Sequence, residues 1–149
     1  MGNLHHIRRI QFLYIWDVFH SNNSIWRVSH DGDSWQQKNT STKSQYYLRL
    51  GDFNGDGISD VFYARGPSTY TWQVAYSGTG NWSTINTSGY SSLDVILADF
   101  DQDNSFAGVT DVICEVNGQY QVSIGGTANW QPLYTSNFPR SNFQYGNLK

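Results

Sequence analysis

The chain has 149 residues, a length that fits one ordinary domain or a piece of a larger protein. Aromatic residues make up 16% of it and charged residues only 14%, and Tyr, Trp, Thr, Val, Ser, Asn and Gly dominate over helix formers such as Glu, Lys and Ala, which is the composition of strands and turns. The net charge is −3 and the nine Lys and Arg are scattered without a basic stripe, which argues against binding to nucleic acid or to anionic membranes.

The start of the chain has no clear structural signature. Residues 1–15 have a basic part and a short apolar part, and we interpret them as a lead-in or as the remnant of a preceding repeat. They lack a clear small-residue cleavage site, so they fit a secretory signal poorly. No apolar run in the sequence approaches the roughly 20 residues that a membrane-spanning helix needs, so we expect no transmembrane segment.

An internal repeat covers residues 16–149. Trp35, Trp82 and Trp130 are 47 and 48 residues apart, and the last two follow the similar stretches "YSGTGN" and "IGGTAN". The stretches "WDVFH", "SDVFY" and "TDVIC" recur upstream of these tryptophans. Self-similarity at a fixed period of this size is the signature of stacked structural units. The repeat predicts three units, at approximately 16–59, 60–110 and 111–149.

Each unit contains short runs of alternating apolar and polar residues between clusters of Gly, Ser, Asn and Asp, a pattern typical of strands and turns. In the middle unit the pattern predicts four strands, at 61–64, 72–76, 83–86 and 94–98. Four short antiparallel strands at this period indicate the blade of a β-propeller. We therefore predict an all-β, propeller-like fold of about three four-stranded antiparallel blades with a period near 47 residues. A sandwich or a barrel would not explain the period.

The stretch "GDFNGDGISDVF" concentrates acidic residues in one tight loop. Oxygen-bearing side chains occupy loop positions one, three, five and nine, position seven can offer a backbone carbonyl, and glycine permits a sharp reversal. Ca²⁺ binds several hard oxygen ligands of this kind, and a divalent cation relieves the repulsion between close carboxylates. The alternative is a solvated turn that binds no ion. The predicted calcium ligands are Asp52, Asn54, Asp56, Ile58 and Asp60.

A second acidic stretch begins in the same way. It carries four extra residues before its last aspartate, and Asn104 stands where the first loop has a glycine. We therefore expect looser geometry and weaker calcium binding at this loop. The predicted ligands are Asp99, Asp101, Asp103 and Asp111.

The motifs "GDFNGDGISDVF", "GTGNW" and "NTSGY" resemble the FG-GAP or VCBS-type repeats of integrin-like β-propellers, and some lectins are built on similar propellers. The resemblance covers most of the chain from Trp16 onward. It implies that the acidic loop joins the last strand of one blade to the first strand of the next. It also implies that the loop holds calcium in a structural role, so that the ion would pin adjacent blades together.

Aromatic and amide residues near the repeat motifs allow two interpretations. The repeated tryptophans occupy matching places and bring large apolar areas, so we favour packing within or between blades. Alternatively, exposed rings with neighbouring amides would stack on sugars and hydrogen-bond to their hydroxyl groups. The candidate ligand-binding residues are Trp35, Asn81, Trp82, Asn86, Tyr90 and Trp130.

The sequence contains no recognisable catalytic constellation. Most aspartates lie in the two acidic loops, Glu115 is the one glutamate, and the four histidines fall in the first thirty residues without the spacing of a zinc site. We therefore predict a non-catalytic, calcium-stabilised binding module whose ligand is a carbohydrate. The alternative is a protein–protein adhesion module or an accessory domain of a larger extracellular protein. Calcium loops favour an extracellular or cell-surface location.

Three blades do not close a propeller, which typically needs about 4–8 of them. Open ends would expose unpaired strand edges. We therefore expect either a homo-oligomer, for example two chains that together supply six blades, or a longer chain that completes the ring. An open, capped array is the third option.

Overall fold

The computed structural model describes residues 17–22, 24–30, 32, 34–79, 81–101 and 108–135. In this part of the chain every regular element is a strand or a three-residue 3₁₀ turn, so the predicted all-β class is confirmed. Strands form where β-branched and aromatic residues cluster, and they end at Gly, Ser, Asn and Asp, as these residue types dictate. The interpretation of residues 1–15 lies outside the described residues.

In the described ranges, eleven strands form three antiparallel sheets, and within each sheet the strands pair in the order of the sequence. The first sheet consists of β1 (Val18–Asn22), β2 (Ile25–Ser29) and β3 (Trp35–Thr40). The second consists of β4 (Leu48–Gly51), β5 (Asp60–Arg65), β6 (Tyr70–Ala75) and β7 (Ser83–Ser88). The third consists of β8 (Val95–Ala98), β9 (Asp111–Val116), β10 (Gln119–Ser123) and β11 (Gln131–Thr135). The described residues show no closed propeller.

The predicted grouping of strands in the middle unit is wrong for its last member. The segment predicted at 94–98 forms β8, but β8 pairs with β9 of the third sheet and not with β7. The physical reason is that β8 and β9 flank an acidic loop that reverses the chain, so the two strands meet directly. The second and third sheets therefore each begin one strand before the repeat motif "DVF" or "DVI".

This pairing also corrects the position of the acidic loops. The loop of "GDFNGDGIS" connects β4 to β5, whose ends pair through Gly51 and Asp60. The second loop connects β8 to β9, with Ala98 opposite Asp111. Both loops are therefore hairpin connections inside one sheet, and the implied connection between adjacent blades is wrong. The hairpins still reach the neighbouring sheet, as described below.

The core lies between successive sheets. Trp26 of β2 and Trp72 of β6 are fully buried and occupy equivalent places. Trp26 packs edge-on against Trp82, and Trp72 against Trp130, with ring centroids 5.6 Å apart in both pairs. Such edge-to-face pairs add to the free energy of burying the rings. The favoured prediction, that repeated tryptophans pack between units, is thus confirmed for Trp82 and Trp130.

Candidate cation-binding hairpins

The first acidic hairpin, residues 52–60, folds around the side-chain oxygens of its own first residues. One oxygen of Asp52 accepts the backbone N–H of Gly55 at 2.7 Å, and its other oxygen accepts that of Gly57 at 2.8 Å. Gly55 and Gly57 have φ of 72° and 80°, a region that glycine enters without steric cost. These contacts explain why the sequence alternates carboxylates with glycines. The Asp52 carboxylate binds the N–H groups of Gly55 and Gly57, and a positive φ at these two residues is what directs their N–H groups towards it.

The next two side chains of the first acidic hairpin repeat the arrangement. Asn54 Oδ1 accepts the N–H of Asp56 at 3.0 Å, and Asp56 Oδ1 accepts the N–H of Ile58 at 2.8 Å. The Asn54 amide also donates to Asp56 Oδ2 at 3.0 Å. The Ile58 side chain is 53% exposed, so an apolar group points to solvent at the position where only the backbone carbonyl is expected to serve as a ligand.

Asp60 is the last residue of the first acidic hairpin and is fully buried. Its carboxylate accepts the N–H of Phe53 at 2.8 Å and the N–H of Ser77 at 2.6 Å, so it ties the hairpin to the turn after β6. Burial raises the pKa of Asp60 and outweighs the two hydrogen bonds, which lower it; the charges of Asp52 and Asp56 raise it further. A cation beside these carboxylates would reverse that effect.

The second acidic hairpin, residues 99–111, gathers three carboxylates. Oxygens of Asp99, Asp101 and Asp111 all lie within 4.8 Å of one another. Asp111 is buried and accepts the N–H groups of Phe100 and Gly125, each at 2.8 Å, as Asp60 accepts those of Phe53 and Ser77 in the second sheet. The predicted ligand Asp103 lies outside the described residues.

The donor set of the second acidic hairpin fits a divalent cation. Ca²⁺ binds carboxylate oxygens at about 2.3–2.6 Å, so two oxygens of one coordination shell lie at most about 5 Å apart. The three carboxylates meet that limit, and they form the one group of three acidic, His or Cys side chains within it among the described residues. Gly108 lies directly against the Asp99 carboxylate, where a Cβ would overlap it. The backbone at Gly108 therefore leaves no room for a side chain of its own beside the Asp99 carboxylate.

The first acidic hairpin presents the same trio with one substitution. Asp52, Asn54 and Asp60 stand at the positions of Asp99, Asp101 and Asp111, so an amide oxygen replaces one carboxylate. Amide oxygens are also Ca²⁺ ligands, and Asp56 adds a further carboxylate at the loop tip. The sequence of the first hairpin therefore supplies oxygen donors of the kind that Ca²⁺ binds, with one carboxylate fewer in this trio than in the second hairpin.

The two hairpins contact each other through a residue that the sequence did not single out. Thr110, at the end of the second acidic hairpin, accepts the N–H of Asp52 on its hydroxyl at 2.8 Å. Its own N–H donates to the Asp52 carbonyl at 2.6 Å. Gly51 packs against the Thr110 side chain so closely that a Cβ would lie 2.7 Å from Thr110 Cγ2. The start of one hairpin is therefore held by the end of the other.

The six predicted ligand-binding residues do not come together in one place. Trp82 lies between the first and second sheets, whereas Trp130 and Tyr90 pack on each other between the second and third, with centroids 5.5 Å apart. Asn86 donates to the carbonyl of Gly126. Asn81 is exposed, and Trp35 is 51% exposed beside His20. Their role in binding a sugar stays a prediction.

A cleft beside Trp82 was not predicted. It has a volume of about 480 Å³ and its lining is mostly hydroxyl-bearing. Lys43 donates to Gln73 Oε1 at 2.7 Å and lies 4.1 Å from the Tyr63 ring centroid, and burial lowers its pKa. The only sequence signal is that Lys43 stands where the next repeat has Tyr90. The lining residues are Ser24, Thr40, Ser41, Thr42, Lys43 and Trp82.

The comparisons with known proteins concern the middle of the chain. The comparisons with curated proteins and with solved structures gave no significant match. None of the helical segments in the described ranges is long and apolar enough to cross a membrane. FG-GAP repeats occur in extracellular proteins and are generally non-catalytic binding modules. A family model does match part of the chain: residues 52–106, from the first acidic hairpin into the second, form an FG-GAP-like repeat.

Proposed function

We propose that this chain is a non-catalytic, calcium-stabilised interaction module of an extracellular protein, and that its ligand is another protein. The observation that carries the proposal is the convergence of the Asp99, Asp101 and Asp111 carboxylates within 4.8 Å. The FG-GAP-like repeat at 52–106 supports it, because it points to a non-enzymatic extracellular interaction module.

Calcium would act here by joining parts of the chain that are distant in sequence. An ion held by Asp99, Asp101 and Asp111 would fix the two ends of the second acidic hairpin relative to each other. The hydrogen bond between Thr110 and Asp52 would then hold the start of the first hairpin in place. The role is structural. Sites of the extracellular kind bind with Kd of about 0.1–1 mM. At ten times Kd, one site adds about 1.4 kcal/mol to the free energy of unfolding.

Thermal unfolding with and without calcium tests the calcium part of the proposal. We expect the midpoint of the full chain to rise by several degrees in 10 mM CaCl₂ relative to EDTA, in line with that free energy. MgCl₂ at equal concentration is the control, because Mg²⁺ demands tighter octahedral geometry. The variant Asp99→Asn/Asp101→Asn should lose the part of the rise that the second acidic hairpin supplies. Equal midpoints in CaCl₂ and EDTA would remove the calcium from the proposal.

Carbohydrate binding is the second candidate, and the cleft beside Trp82 is the observation that favours it. An aromatic ring bordered by several hydroxyl groups and a lysine offers a sugar both a stacking face and hydrogen bonds. A glycan array probed in calcium and again in EDTA separates the two candidates. Binding to one sugar class that is lost in Thr40→Val/Thr42→Val would establish the cleft as a sugar site. A blank array from folded protein leaves the protein ligand.

A further inference from the structure

Two cations lie over a row of aromatic rings that begins at the cleft beside Trp82. Lys43 Nζ is 4.1 Å from the ring centroid of Tyr63 and 4.9 Å from that of Trp82. The guanidinium of Arg65 is 4.5 Å from the ring centroid of Tyr47. Tyr63 packs against both Trp82, at 5.8 Å, and Tyr47, at 6.3 Å. These three rings and two cations form one continuous surface, which we call the cation–aromatic ladder.

The cation–aromatic ladder presents N–H donors rather than bare rings. A cation at these distances is attracted to the face of a ring, so Lys43 and Arg65 each cover part of the ring surface. Lys43 donates one hydrogen bond, to Gln73 Oε1 at 2.7 Å, so two of its three N–H groups remain. Arg65 makes no side-chain hydrogen bond within the described ranges. The free donors therefore suit an anion.

No carboxylate of the described residues forms an ion pair with Lys43 or Arg65. Lys43 is partly buried, and this burial lowers its pKa. Taking a charge out of water costs free energy unless an opposite charge or hydrogen bonds offset the loss. The two ring faces and Gln73 offset part of it, and an anion would offset more.

The rest of the sequence offers few carboxylates for this purpose. Residues 1–16 and 136–149 contain no Asp or Glu. The other residues outside the described ranges include three aspartates: Asp31, Asp33 and Asp103. The first two belong to the connection that enters β3, whereas Lys43 follows the opposite end of that six-residue strand; the third belongs to the second acidic hairpin. The charge therefore points to an anionic group from outside this chain.

The equivalent place in the next repeat is built differently. Tyr90 stands where the first unit has Lys43, and its ring packs on Trp130 at 5.5 Å. The Tyr90 carbonyl accepts the Nε1–H of Trp72 at 2.9 Å. Trp26, the equivalent of Trp72, has a buried Nε1–H without a hydrogen-bond partner in the described part of the chain. The segment at Lys43 thus lacks the bond that closes the equivalent place, and a cleft of about 480 Å³ lies there.

We propose that the cation–aromatic ladder binds an extended acidic segment of a partner protein, whose Asp or Glu carboxylates pair with Lys43 and Arg65. A carboxylate accepts charge-assisted hydrogen bonds from both groups, and a guanidinium donates two at once. Hydroxyl groups of Thr40 and Thr42 in the cleft offer further bonds to a peptide backbone. A peptide suits the surface better than an acidic polysaccharide, because the cations already cover part of the rings on which a sugar would stack. The proposal rests on the proposed function in one respect, namely that the ligand is a protein.

A fluorescently labelled peptide of six glutamates is the probe, since its side chains offer only carboxylates. We would measure its fluorescence polarisation with the full chain in CaCl₂, and we expect saturable binding that weakens as NaCl is added. The variant Lys43→Gln/Arg65→Gln should bind about tenfold more weakly or less, because two charge-assisted hydrogen bonds are lost. The matched control, Arg27→Gln/Lys38→Gln, removes the same charge from β2 and β3 and should change binding by less than about twofold. The thermal midpoint of each variant checks its folding.

Four results would overturn the proposal. The first is no saturable binding of hexaglutamate, and the second is equal binding of labelled hexaglutamine. The third is an equal loss in the two double variants, which would reduce the effect to net charge. The fourth is tighter binding of hexagalacturonate, which carries the same number of carboxylates on sugar rings and would make the ligand an acidic polysaccharide. The calcium-dependent thermal midpoint is measured separately, so failure of the cation–aromatic ladder and failure of the proposed function are distinguishable.

Discussion

The first acidic hairpin carries Asn54 where the second carries Asp101. The two loops differ accordingly in the groups that lie next to their carboxylates. In the first, Asn54 donates to Asp56, and the side-chain oxygens are used to fix the loop's own N–H groups. In the second, three carboxylates approach within 4.8 Å. Hydrogen bonds within the first loop fix its shape. In the second loop the described carboxylates converge, and a cation would relieve their repulsion.

This difference bears on the order of calcium affinity expected from the sequence, and that order stays a prediction. The regular spacing of the first stretch predicted the better calcium site, and the longer second stretch predicted looser geometry. Yet the structure brings three carboxylates together in the second hairpin. The comparison teaches that regular spacing fixes the backbone of a loop. It leads us to expect that a loop in which more carboxylates converge depends more strongly on a cation.

The largest expected effect concerns what the two hairpins share, their buried aspartates. Asp60→Ala removes the acceptor for the N–H groups of Phe53 and Ser77. Each buried N–H left without a partner costs about 1–3 kcal/mol, so the free energy of unfolding should fall by about 2–6 kcal/mol. Urea unfolding in EDTA measures this, with the neighbouring Ser59→Ala as the control. A loss as small as that of the control would mean that Asp60 does not tie the hairpin to the turn.

The contact between the hairpins is expected to come next in size. Thr110→Val keeps the shape of the side chain but removes the hydroxyl that accepts the N–H of Asp52. We expect a loss of about 1–3 kcal/mol in urea unfolding. Thr110→Ser keeps the hydroxyl and should recover most of this loss. If valine were tolerated better than serine, the methyl contact with Gly51, and not the hydrogen bond, would join the two hairpins.

Exchanging the amide of one hairpin and the carboxylate of the other tests whether the number of carboxylates sets the dependence on calcium. Asn54→Asp gives the first hairpin the charges of the second, and Asp101→Asn does the reverse. We expect the first change to lower the thermal midpoint in EDTA and to raise calcium affinity several-fold, because one more carboxylate faces the ion. The second change should have the opposite effects. Two variants that change calcium affinity in the same direction would break the proposed dependence on charge count.

The smallest expected effect is a dependence on pH. The pKa of Asp60 is raised, chiefly by burial, so the folded state binds its proton more readily than the unfolded state does. In EDTA the contribution of Asp60 to stability should therefore rise as the pH falls through that raised pKa. In calcium the protonation removes a ligand, so the gain in midpoint from calcium should shrink over the same pH range. A gain that stays constant from pH 7 to pH 4 would contradict the assignment of Asp60 as a ligand.

The sequence was sufficient for local features. Period-two runs located β5, β6 and β7 of the second sheet, and the spacing of Asp52, Asn54 and Asp56 located a loop whose side chains bind its own backbone. Both depend on residues that are close in the chain. The grouping of β8 was wrong because the repeat period and the alternation of apolar and polar residues predict that a segment is a strand but not which strand it pairs with.

Contacts over longer distances could not be predicted in the same way. Asp60 meets Ser77 across a whole hairpin, and Thr110 meets Asp52 from another sheet. Neither serine nor threonine is unusual beside a turn, so nothing in the residue types marks them. The cleft beside Trp82 likewise depends on how two sheets approach each other. These features follow from packing between segments that are distant in the chain, which local sequence patterns do not reveal.

The most direct test of the account is a count of the calcium ions that the full chain binds. Equilibrium dialysis with radioactive calcium, at concentrations up to about ten times a millimolar Kd, gives that number. The account predicts two ions per chain, one for each acidic hairpin, and one ion for either Asp52→Ala or Asp99→Ala. No saturable binding, or a count unchanged by both substitutions, would contradict the claim that these hairpins are calcium sites.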